Sequence, residues 1–266
     1  MGLPMFRPED DPGPDFASVL RRLGLGPSAT AGAGAGPPPE VRHGTTIAAI
    51  CYADGVVMAG DRRATAGSSI AHRAMEKVYP ADRHSGIAVA GAAGFAMEMV
   101  RIFQLQLEHY EKVEGQALSL EGKANQLSQM VRGQLGMAMQ GFVVVPLFAG
   151  YDLRRGVGRI YTYDPTGGRY EETDFHAEGS GGRDARTTIK LGWRADMDRA
   201  SAIELAVRAL WQAADEDSAT GGPDAVRGIY PTVATITALG YAVVAEAEVA
   251  ERFAAVLTAE HGGAPT

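Results

Sequence analysis

The sequence predicts an α+β fold in four layers (α-β-β-α), with two antiparallel sheets packed face to face and a layer of helices outside each sheet. Strand candidates occur in blocks, and helix candidates occur in pairs between those blocks. This order is typical of antiparallel sheets covered by helices, and it differs from the strand–helix alternation of a parallel sheet. The first 44 residues stand apart from these blocks, because they contain 8 Gly and 8 Pro.

The N-terminal segment, residues 1–44, is predicted to be largely disordered. Its Gly and Pro content is above the level that indicates low complexity. The run GPSATAGAGAGPPPE also has too little apolar surface to offset the entropy lost on ordering it. The exception is DFASVLRRLGLG, in which the apolar residues fit one face of a short helix. The folded body is therefore predicted to cover residues 45–266.

The first half of the body is predicted to begin with strands and to continue with helices. TTIAAICY and GVVMAGD are two β-favouring stretches joined by a hairpin signal at Asp54-Gly55. Further strands are predicted in SSIAHR, EKVYP and SGIAVAG. A helix is predicted over residues 96–113, where apolar residues recur every three or four positions. A second helix, over 120–135, is predicted to begin after Ser119 as its N-cap.

The second half of the body is predicted to repeat the order of strands, two helices, strands and helix. FVVVPLFAGYD, GRIYTYD and RYEETDFHAEG predict three strands. GGRDARTTIKLGW and residues 198–215 predict two helices. TVATITAL and YAVVAEAEV predict a hairpin, and residues 246–258 predict a last helix.

The composition excludes several classes of partner. The formal net charge of -7 gives no electrostatic footprint for nucleic acid or for an anionic membrane surface. No apolar run approaches the roughly 18 residues needed to span a bilayer, and the N-terminus lacks the layout of a secretory signal. The single cysteine, Cys51, excludes an intrachain disulfide and is compatible with a reducing compartment. We therefore expect a cytoplasmic protein with no nucleic-acid and no membrane partner.

Common catalytic and metal-binding motifs are missing from the sequence. HExxH and CxxC patterns do not occur, so we expect no metal site and no cofactor. Ser180 in AEGSGG does not fit a nucleophile elbow. That motif needs glycine two residues before the serine, where this sequence has Glu178. Lys123 in EGKAN lacks the glycine spacing of a phosphate-binding loop.

The junction Gly44-Thr45 offers a different kind of nucleophile. If the peptide bond between these residues is cut, Thr45 carries a hydroxyl and a free α-amine. An α-amine has a pKa of about 7.7–8.0 and can act as a general base, and threonine with its own terminal amine is a recognised nucleophile–base pair. Gly44 suits the cut because it tolerates strained backbone conformations. Residues 1–44 would then be a propeptide.

From Thr45 onward, five motifs occur in the order and spacing of a known family: GTTIAAICYADGVVMAGDRRAT, AMEKVYP, IAVAGAAG, GSGG and DEDSATGGPD. The sequence resembles the actinobacterial 20S proteasome β subunits, which are N-terminal-nucleophile hydrolases with the four-layer fold. Asp61 and Lys77 follow Thr45 by 16 and 32 residues, which is the spacing in that family. The resemblance implies a threonine endopeptidase that degrades unfolded proteins after self-cleavage at Gly44-Thr45.

The resemblance also implies a role for each site residue. Thr45 would be the nucleophile and its α-amine the base, while Asp61 would hold Lys77 so that its charge keeps that amine neutral. The backbone N–H of Gly91 would bind the oxyanion. The residues expected to support the amine by hydrogen bonding are Ser180, Asp217 and Thr220. Thr220 stands where the family usually has serine, and its hydroxyl can make the same bond.

The substrate and the partners are likewise implied by the resemblance. A peptide would bind as an extra strand between the backbone segments around Thr65 and Ala93. The pocket beside Thr45 would be lined by apolar residues, namely Ala64, Met75, Val89 and Ala96. This lining predicts cleavage after hydrophobic residues. Partners would be six further copies in a homo-heptameric β ring, proteasome α subunits, and a ring ATPase that delivers proteins tagged with a ubiquitin-like modifier.

Other interpretations remain open at this stage. Taken singly, Asp61 and Gly91 could serve turns, Lys77 could lie on the surface, and the apolar pocket residues could belong to the core. Three other functions compete with the proteasome subunit: a simpler two-ring bacterial threonine peptidase, a self-processing hydrolase of small amides, and a non-catalytic ring subunit that keeps residues 1–44. The long N-terminal segment and the DSATGG stretch argue against the first of these.

Overall fold

The computed structural model describes residues 44–67 and 69–261. Apart from Gly44, the predicted propeptide lies outside the described residues, and so does the short helix predicted around residues 16–23. The strands are β1 Thr46–Tyr52, β2 Gly55–Gly60, β3 Ala64–Ala66, β4 Ser69–His72, β5 Val78–Asp82, β6 Ser85–Gly91, β7 Val144–Asp152, β8 Val157–Tyr163, β9 Arg169–Glu172, β10 Phe175–Gly179, β11 Thr232–Thr237 and β12 Gly240–Val243. The helices are α1 Ala93–Glu114, α2 Leu120–Gly133, α3 Leu135–Ala138, α4 Gly182–Gly192, α5 Arg199–Glu216 and α6 Glu246–His261.

The strands form two five-stranded antiparallel sheets and one small hairpin. The first sheet has the order β10-β1-β2-β11-β12, and the second has the order β5-β6-β7-β8-β9. Strands β3 and β4 pair with each other outside these sheets. Among the described residues, no helix is both long and apolar enough to cross a membrane.

The burial pattern of β1 shows why four layers form. Alternate side chains of a strand point to opposite faces of its sheet. Ala48 and Ile50 belong to the core between the first sheet and helices α4, α5 and α6. Ile47 and Ala49 belong to the core between the two sheets. A third core lies between the second sheet and helices α1 and α2. The predicted α-β-β-α sandwich is therefore confirmed.

Capping residues in the sequence mark the observed ends of helices α1 and α2. Ser119 caps α2 as predicted, because its hydroxyl accepts the backbone N–H of Gly122 at 3.1 Å. Helix α1 is longer than predicted and ends at Gly115, which adopts a left-handed conformation with φ of 68°.

Two predictions of secondary structure were wrong in detail, and two short elements were not predicted. RYEETDFHAEG forms two strands in different sheets, because the chain leaves the second sheet after β9 and joins the first as β10. The N–H of Cys51 donates to the carbonyl of Asp174 at 2.7 Å and fixes this crossing. Strand β12 ends at Val243 because the following residues enter α6. Strand β3 and helix α3 are too short to show periodicity and were not predicted.

The strand register brings distant segments to one end of β1. Thr46 pairs with Gly179 of β10, and Ile47 pairs with Gly60 of β2. The residues just beyond these pairs, Ser180 and Asp61, therefore lie on either side of the chain at Thr45-Thr46. The fold thus collects polar residues from separate loops at the point where the described body begins.

Candidate active site

The junction Gly44-Thr45 is buried at the start of β1. Thr45 is only 5% exposed. Its carbonyl accepts the backbone N–H of Ser180 at 2.8 Å, and the N–H of Gly44 lies 3.3 Å from Thr65 Oγ1. The peptide bond that the sequence marks for cutting is therefore enclosed on both sides by the fold.

Lys77 and Asp61 form a buried ion pair beside this junction. Lys77 Nζ donates to Asp61 Oδ1 at 2.6 Å, and the two side chains are 3% and 0% exposed. The same ammonium donates to the carbonyl of Arg63 at 2.6 Å and to the carbonyl of Gly44 at 3.3 Å. Burial lowers the pKa of the Lys77 amine below its ordinary value, although Asp61 acts in the opposite direction. A surface position for Lys77 is excluded by this burial.

The Asp61 carboxylate is fixed by backbone donors as well as by Lys77. Oδ1 accepts the N–H of Thr46 at 2.8 Å. Oδ2 accepts the N–H groups of Arg63 and Gly221, each at 2.9 Å. Four donors around one carboxylate offset the cost of burying its charge, so Asp61 is held in a single orientation and in turn holds Lys77.

A second polar group approaches Thr45 from the other side. Ser180 Oγ accepts the N–H of Thr45 at 3.2 Å and donates to Asp217 Oδ2 at 2.5 Å. Thr220 Oγ1 donates to the same carboxylate oxygen at 2.6 Å. Burial alone raises the pKa of Asp217, but the hydrogen bonds from Ser180 and Thr220 outweigh it, and the pKa lies below the ordinary value. Ser180 is thus the link between Thr45 and the Asp217 carboxylate.

Thr220 supports the site indirectly. It was expected to support the Thr45 amine by hydrogen bonding, as the family's serine would, but its hydroxyl donates to Asp217 Oδ2 at 2.6 Å. Its hydroxyl also lies 2.6 Å from Thr46 Oγ1. Its influence on Thr45 passes through Asp217 and Ser180, because Asp217 Oδ2 accepts its hydroxyl and that of Ser180, and Ser180 Oγ lies 3.2 Å from the Thr45 nitrogen.

Gly91 ends β6 beside the pocket that Gly44 and Thr45 also line. Successive N–H groups of an antiparallel strand point to opposite neighbours. Val89 donates to the carbonyl of Lys77 on one side, and Ala92 donates to the carbonyl of Val143 on the other. Gly91 therefore points its N–H to the same side as Val89, where it borders a pocket shared with Thr45.

The pocket beside Thr45 has about 330 Å³ of space between atoms, a figure that includes the open solvent at its mouth. All four residues predicted to line it do so, namely Ala64, Met75, Val89 and Ala96, and Ala93 also borders it. Three lining residues were not predicted: Glu76, Tyr79 and Met97. The wall is mostly apolar, and its two charged residues are Lys77, which is paired with Asp61, and Glu76, whose side chain is exposed.

Thr65 lies in a separate cleft on the other side of Gly44. This cleft has about 920 Å³ of space between atoms, open solvent included, and its lining includes Thr65, Gly91, Val143 and Ser180. The backbone segments around Thr65 and Ala93, which were predicted to clamp a peptide, thus border two adjoining clefts with Gly44 between them.

Sequence reasoning missed three contributors to the site. Thr46 contacts both polar groups, and its position next to the predicted nucleophile was the only signal for it. Arg63 and Gly221 act through backbone atoms, which carry no mark of residue type. Only the fold could reveal the last two.

Comparison with known proteins identifies the family to which the chain belongs. The sequence model of the family described as "Proteasome subunit" matches residues 41–227, which include every residue of the two polar groups. The chain belongs to the proteasome subunit family.

Three curated relatives support this assignment, and each is named "Proteasome subunit beta". The protein from Acidimicrobium ferrooxidans is 61% identical over 251 residues, which cover 94% of this chain and 92% of the relative. The protein from Acidothermus cellulolyticus is 54% identical, with 86% and 81% covered. The protein from Jonesia denitrificans is 55% identical, with 80% and 71% covered. The resemblance of this proteasome-family chain to actinobacterial β subunits is thus confirmed.

Proposed function

We propose that this chain is a threonine endopeptidase subunit of a proteasome core and that it activates itself by cutting the Gly44-Thr45 bond. The observation that carries the proposal is the enclosure of this bond between Lys77 and Ser180. Lys77 Nζ lies 3.3 Å from the Gly44 carbonyl oxygen, and Ser180 Oγ lies 3.2 Å from the Thr45 nitrogen. The carbonyl oxygen and the nitrogen of this peptide group, whose charge and protonation change on cleavage, thus each face a polar side chain.

Self-cleavage is proposed to proceed through an ester. Thr45 Oγ1 bonds to the Gly44 carbonyl carbon while the bond from that carbon to the Thr45 nitrogen breaks, and the hydroxyl proton passes to the nitrogen. Water then hydrolyses the ester, which releases residues 1–44 and restores the hydroxyl. The freed α-amine has a pKa of about 7.7–8.0 in isolation. The Lys77 charge nearby favours its neutral, basic form.

Peptide hydrolysis would then use the same atoms. The α-amine accepts the hydroxyl proton as Thr45 Oγ1 attacks the substrate carbonyl, and the amine proton is passed to the leaving nitrogen. The N–H of Gly91 binds the developing oxyanion. Water hydrolyses the acyl-enzyme and completes the cycle. Asp61 holds Lys77, while Asp217 and Thr220 hold Ser180 against the amine.

The direct test is the N-terminal sequence and intact mass of the assembled particle. Chains should begin at Thr45, and their mass should lack residues 1–44. A particle that hydrolyses peptides while its chains begin at any other residue would disprove the proposal. Chains that keep residues 1–44 without hydrolysis would indicate a structural ring subunit.

The partners follow from the same proposal. We propose that seven copies form a β ring, that rings of proteasome α subunits cap it, and that a ring ATPase feeds in proteins marked by a ubiquitin-like tag in the cytoplasm. The substrate is proposed to add as a strand between the segments around Thr65 and Ala93, where backbone hydrogen bonds give affinity without sequence selection.

The apolar pocket predicts the preferred cleavage position. Peptides that differ only in the residue before the cut should be hydrolysed at least about tenfold faster after Leu or Phe than after Asp, because a charged group would be desolvated there. The exposed side chain of Glu76 should make Lys less unfavourable than Asp. Met75→Ala enlarges the pocket and should shift the preference toward Trp. A strict preference for acidic residues in kcat/KM would contradict the pocket assignment.

The fit around Gly44 predicts that cleavage requires glycine there. A Cβ on residue 44 would lie 1.9 Å from Ala219 Cβ and 2.7 Å from the Ala219 carbonyl oxygen. Gly44→Ala should therefore displace the bond and slow self-cleavage about 100-fold, measured as loss of residues 1–44 by mass spectrometry. Gly44→Ala with Ala219→Gly removes the contact at 1.9 Å and should recover part of the rate. Ala219→Gly alone is the control, and wild-type processing of Gly44→Ala would overturn the argument.

A further inference from the structure

We propose that Thr46 is a positioning residue whose side-chain hydroxyl sets the direction of a hydrogen-bond chain ending on the Asp217 carboxylate. This inference rests on the proposed function, because it concerns how the Thr45 amine is supported. Thr46 is neither the nucleophile nor one of the residues implied by the family resemblance. It deepens the account of the site by naming the residue that joins its two polar groups.

Thr46 is fully buried and bonds to both polar groups. Its backbone N–H donates to Asp61 Oδ1 at 2.8 Å, and its carbonyl accepts the N–H of Asp61 at 3.0 Å. Its Oγ1 accepts the N–H of Gly181 at 3.0 Å and lies 2.6 Å from Thr220 Oγ1. The main chain of Thr46 therefore serves the Lys77 side of the site, and its side chain serves the Asp217 side.

Proton counting fixes the direction of the side-chain bonds. A threonine hydroxyl has one proton and two lone pairs. Thr220 uses its proton for Asp217 Oδ2, since an ionised carboxylate can only accept. The bond between the two threonines must then be donated by Thr46. The chain of hydrogen bonds runs from the Gly181 N–H through Thr46 and Thr220 to Asp217. Successive bonds in such a chain polarise and strengthen one another.

The end of the chain bears directly on Ser180. Asp217 Oδ2 accepts both Thr220 Oγ1 and Ser180 Oγ, so the approach of one donor restricts the direction left for the other. Ser180 Oγ in turn lies 3.2 Å from the Thr45 nitrogen. Without the Thr46 hydroxyl, Thr220 loses its donor and is free to rotate away from Asp217, and the lone pair that Ser180 offers to Thr45 is no longer fixed.

The packing leaves no space for water to replace the hydroxyl. A methyl carbon built on Gly181 would lie 2.6 Å from Thr46 Oγ1 and 2.7 Å from Thr220 Oγ1. In Thr46→Val, the methyl group that replaces the hydroxyl fills the same volume. The buried N–H of Gly181 then has lost the acceptor that the Thr46 side chain supplied.

The test compares Thr46→Val with Thr46→Ser in the assembled particle, using chains shown by mass to begin at Thr45. Thr46→Val should lower kcat for a peptide substrate about 10- to 100-fold, with KM within about twofold of wild type. Thr46→Ser keeps the hydroxyl and should stay within about threefold of wild type in kcat. Thr235→Val, at another buried threonine of the first sheet, controls for loss of a buried hydroxyl elsewhere and should match wild type.

The pH profile gives a second readout that a loss of stability would not move. The Asp217 carboxylate is faced by Ser180, Thr220 and the N–H of Ala219, with the charges of Arg63 and Lys77 nearby. Weakening the Thr220 bond raises the pKa of Asp217, so the acid limb of kcat should move to higher pH in Thr46→Val. Equal kcat and equal pH profiles for Thr46→Val and Thr46→Ser would overturn the proposal.

Two further outcomes keep the inference separate from the proposed function. If Thr46→Val does not assemble, Thr220→Val breaks the next link of the same chain and must show the same kcat loss for the proposal to stand. If Thr45→Ala still hydrolyses peptides, the proposed function fails whatever Thr46 does. If Thr45→Ala is inactive and both valine variants match wild type, the role of Thr46 alone is refuted.

Discussion

Replacing Thr45 with Ala is expected to leave residues 1–44 attached to every chain and to abolish peptide hydrolysis. The substitution removes the only atom proposed to attack either the Gly44 carbonyl or a substrate. It leaves the backbone hydrogen bonds of residue 45 intact, because the Ser180 N–H donates to its carbonyl. The fold should therefore survive while kcat falls by at least about 1000-fold, which corresponds to roughly 4 kcal/mol of activation free energy.

The matched variant for this experiment is Thr45→Ser. Serine keeps both the hydroxyl and the potential α-amine, so processing and hydrolysis should persist at a reduced rate. Intact mass reports the state of residues 1–44, and a fluorogenic peptide reports turnover in the same sample. A processed and active Thr45→Ala particle would show that another group is the nucleophile.

Replacing Lys77 with Ala is expected to stop both processing and hydrolysis while rings still form. The substitution removes three hydrogen bonds donated by Nζ and leaves the Asp61 carboxylate buried without its counter-charge. Breaking a buried ion pair by removing one partner typically costs about 3–5 kcal/mol in folding free energy. Loss of activity alone would therefore not separate a role in the reaction from a loss of stability.

A second buried ion pair in the chain supplies the control. Lys123 pairs with Asp82, and the two side chains are 7% and 16% exposed. Lys123→Ala removes a similar buried pair away from Thr45, so it should lower the melting temperature but preserve processing. If Lys77→Ala and Lys123→Ala lose hydrolysis to the same extent at matched ring content, the effect of Lys77 is one of stability.

The arrangement of layers was predictable because it depends on patterns that repeat. Strand β1 alternates between two cores along its length, and helix α2 begins at a serine whose capping role depends on adjacent residues. The break between β9 and β10 was not predicted, because the two residues between these strands, Thr173 and Asp174, include no glycine or proline to mark a turn. Strand β9 joins the second sheet by pairing with β8, and β10 joins the first sheet by pairing with β1. The local sequence does not indicate these pairings.

The residues of the candidate site likewise fall into those that the sequence could predict and those that it could not. Asp61 and Lys77 could be singled out because their side chains carry the chemistry and the family spacing marks them. The side-chain role of Thr46 depends on Gly181 and Thr220, which lie 135 and 174 residues further along the chain. Arg63 and Gly221 contribute backbone atoms alone. Contacts between residues far apart in sequence, and contacts made by backbone atoms, arise from tertiary structure. Neither kind produces a recognisable pattern in the sequence.

The long separation between Thr46 and Thr220 also sets an order of events during protein synthesis. With chain growth at about 5–20 residues per second, the ribosome needs on the order of ten seconds or more to add the last of these partners after the first. A growing chain that has emerged only through β8 has none of the Ser180, Asp217 or Gly221 contacts. Translation must therefore pass residue 221 before the junction can be held as the finished fold holds it, and a truncated product ending earlier is expected to remain unprocessed.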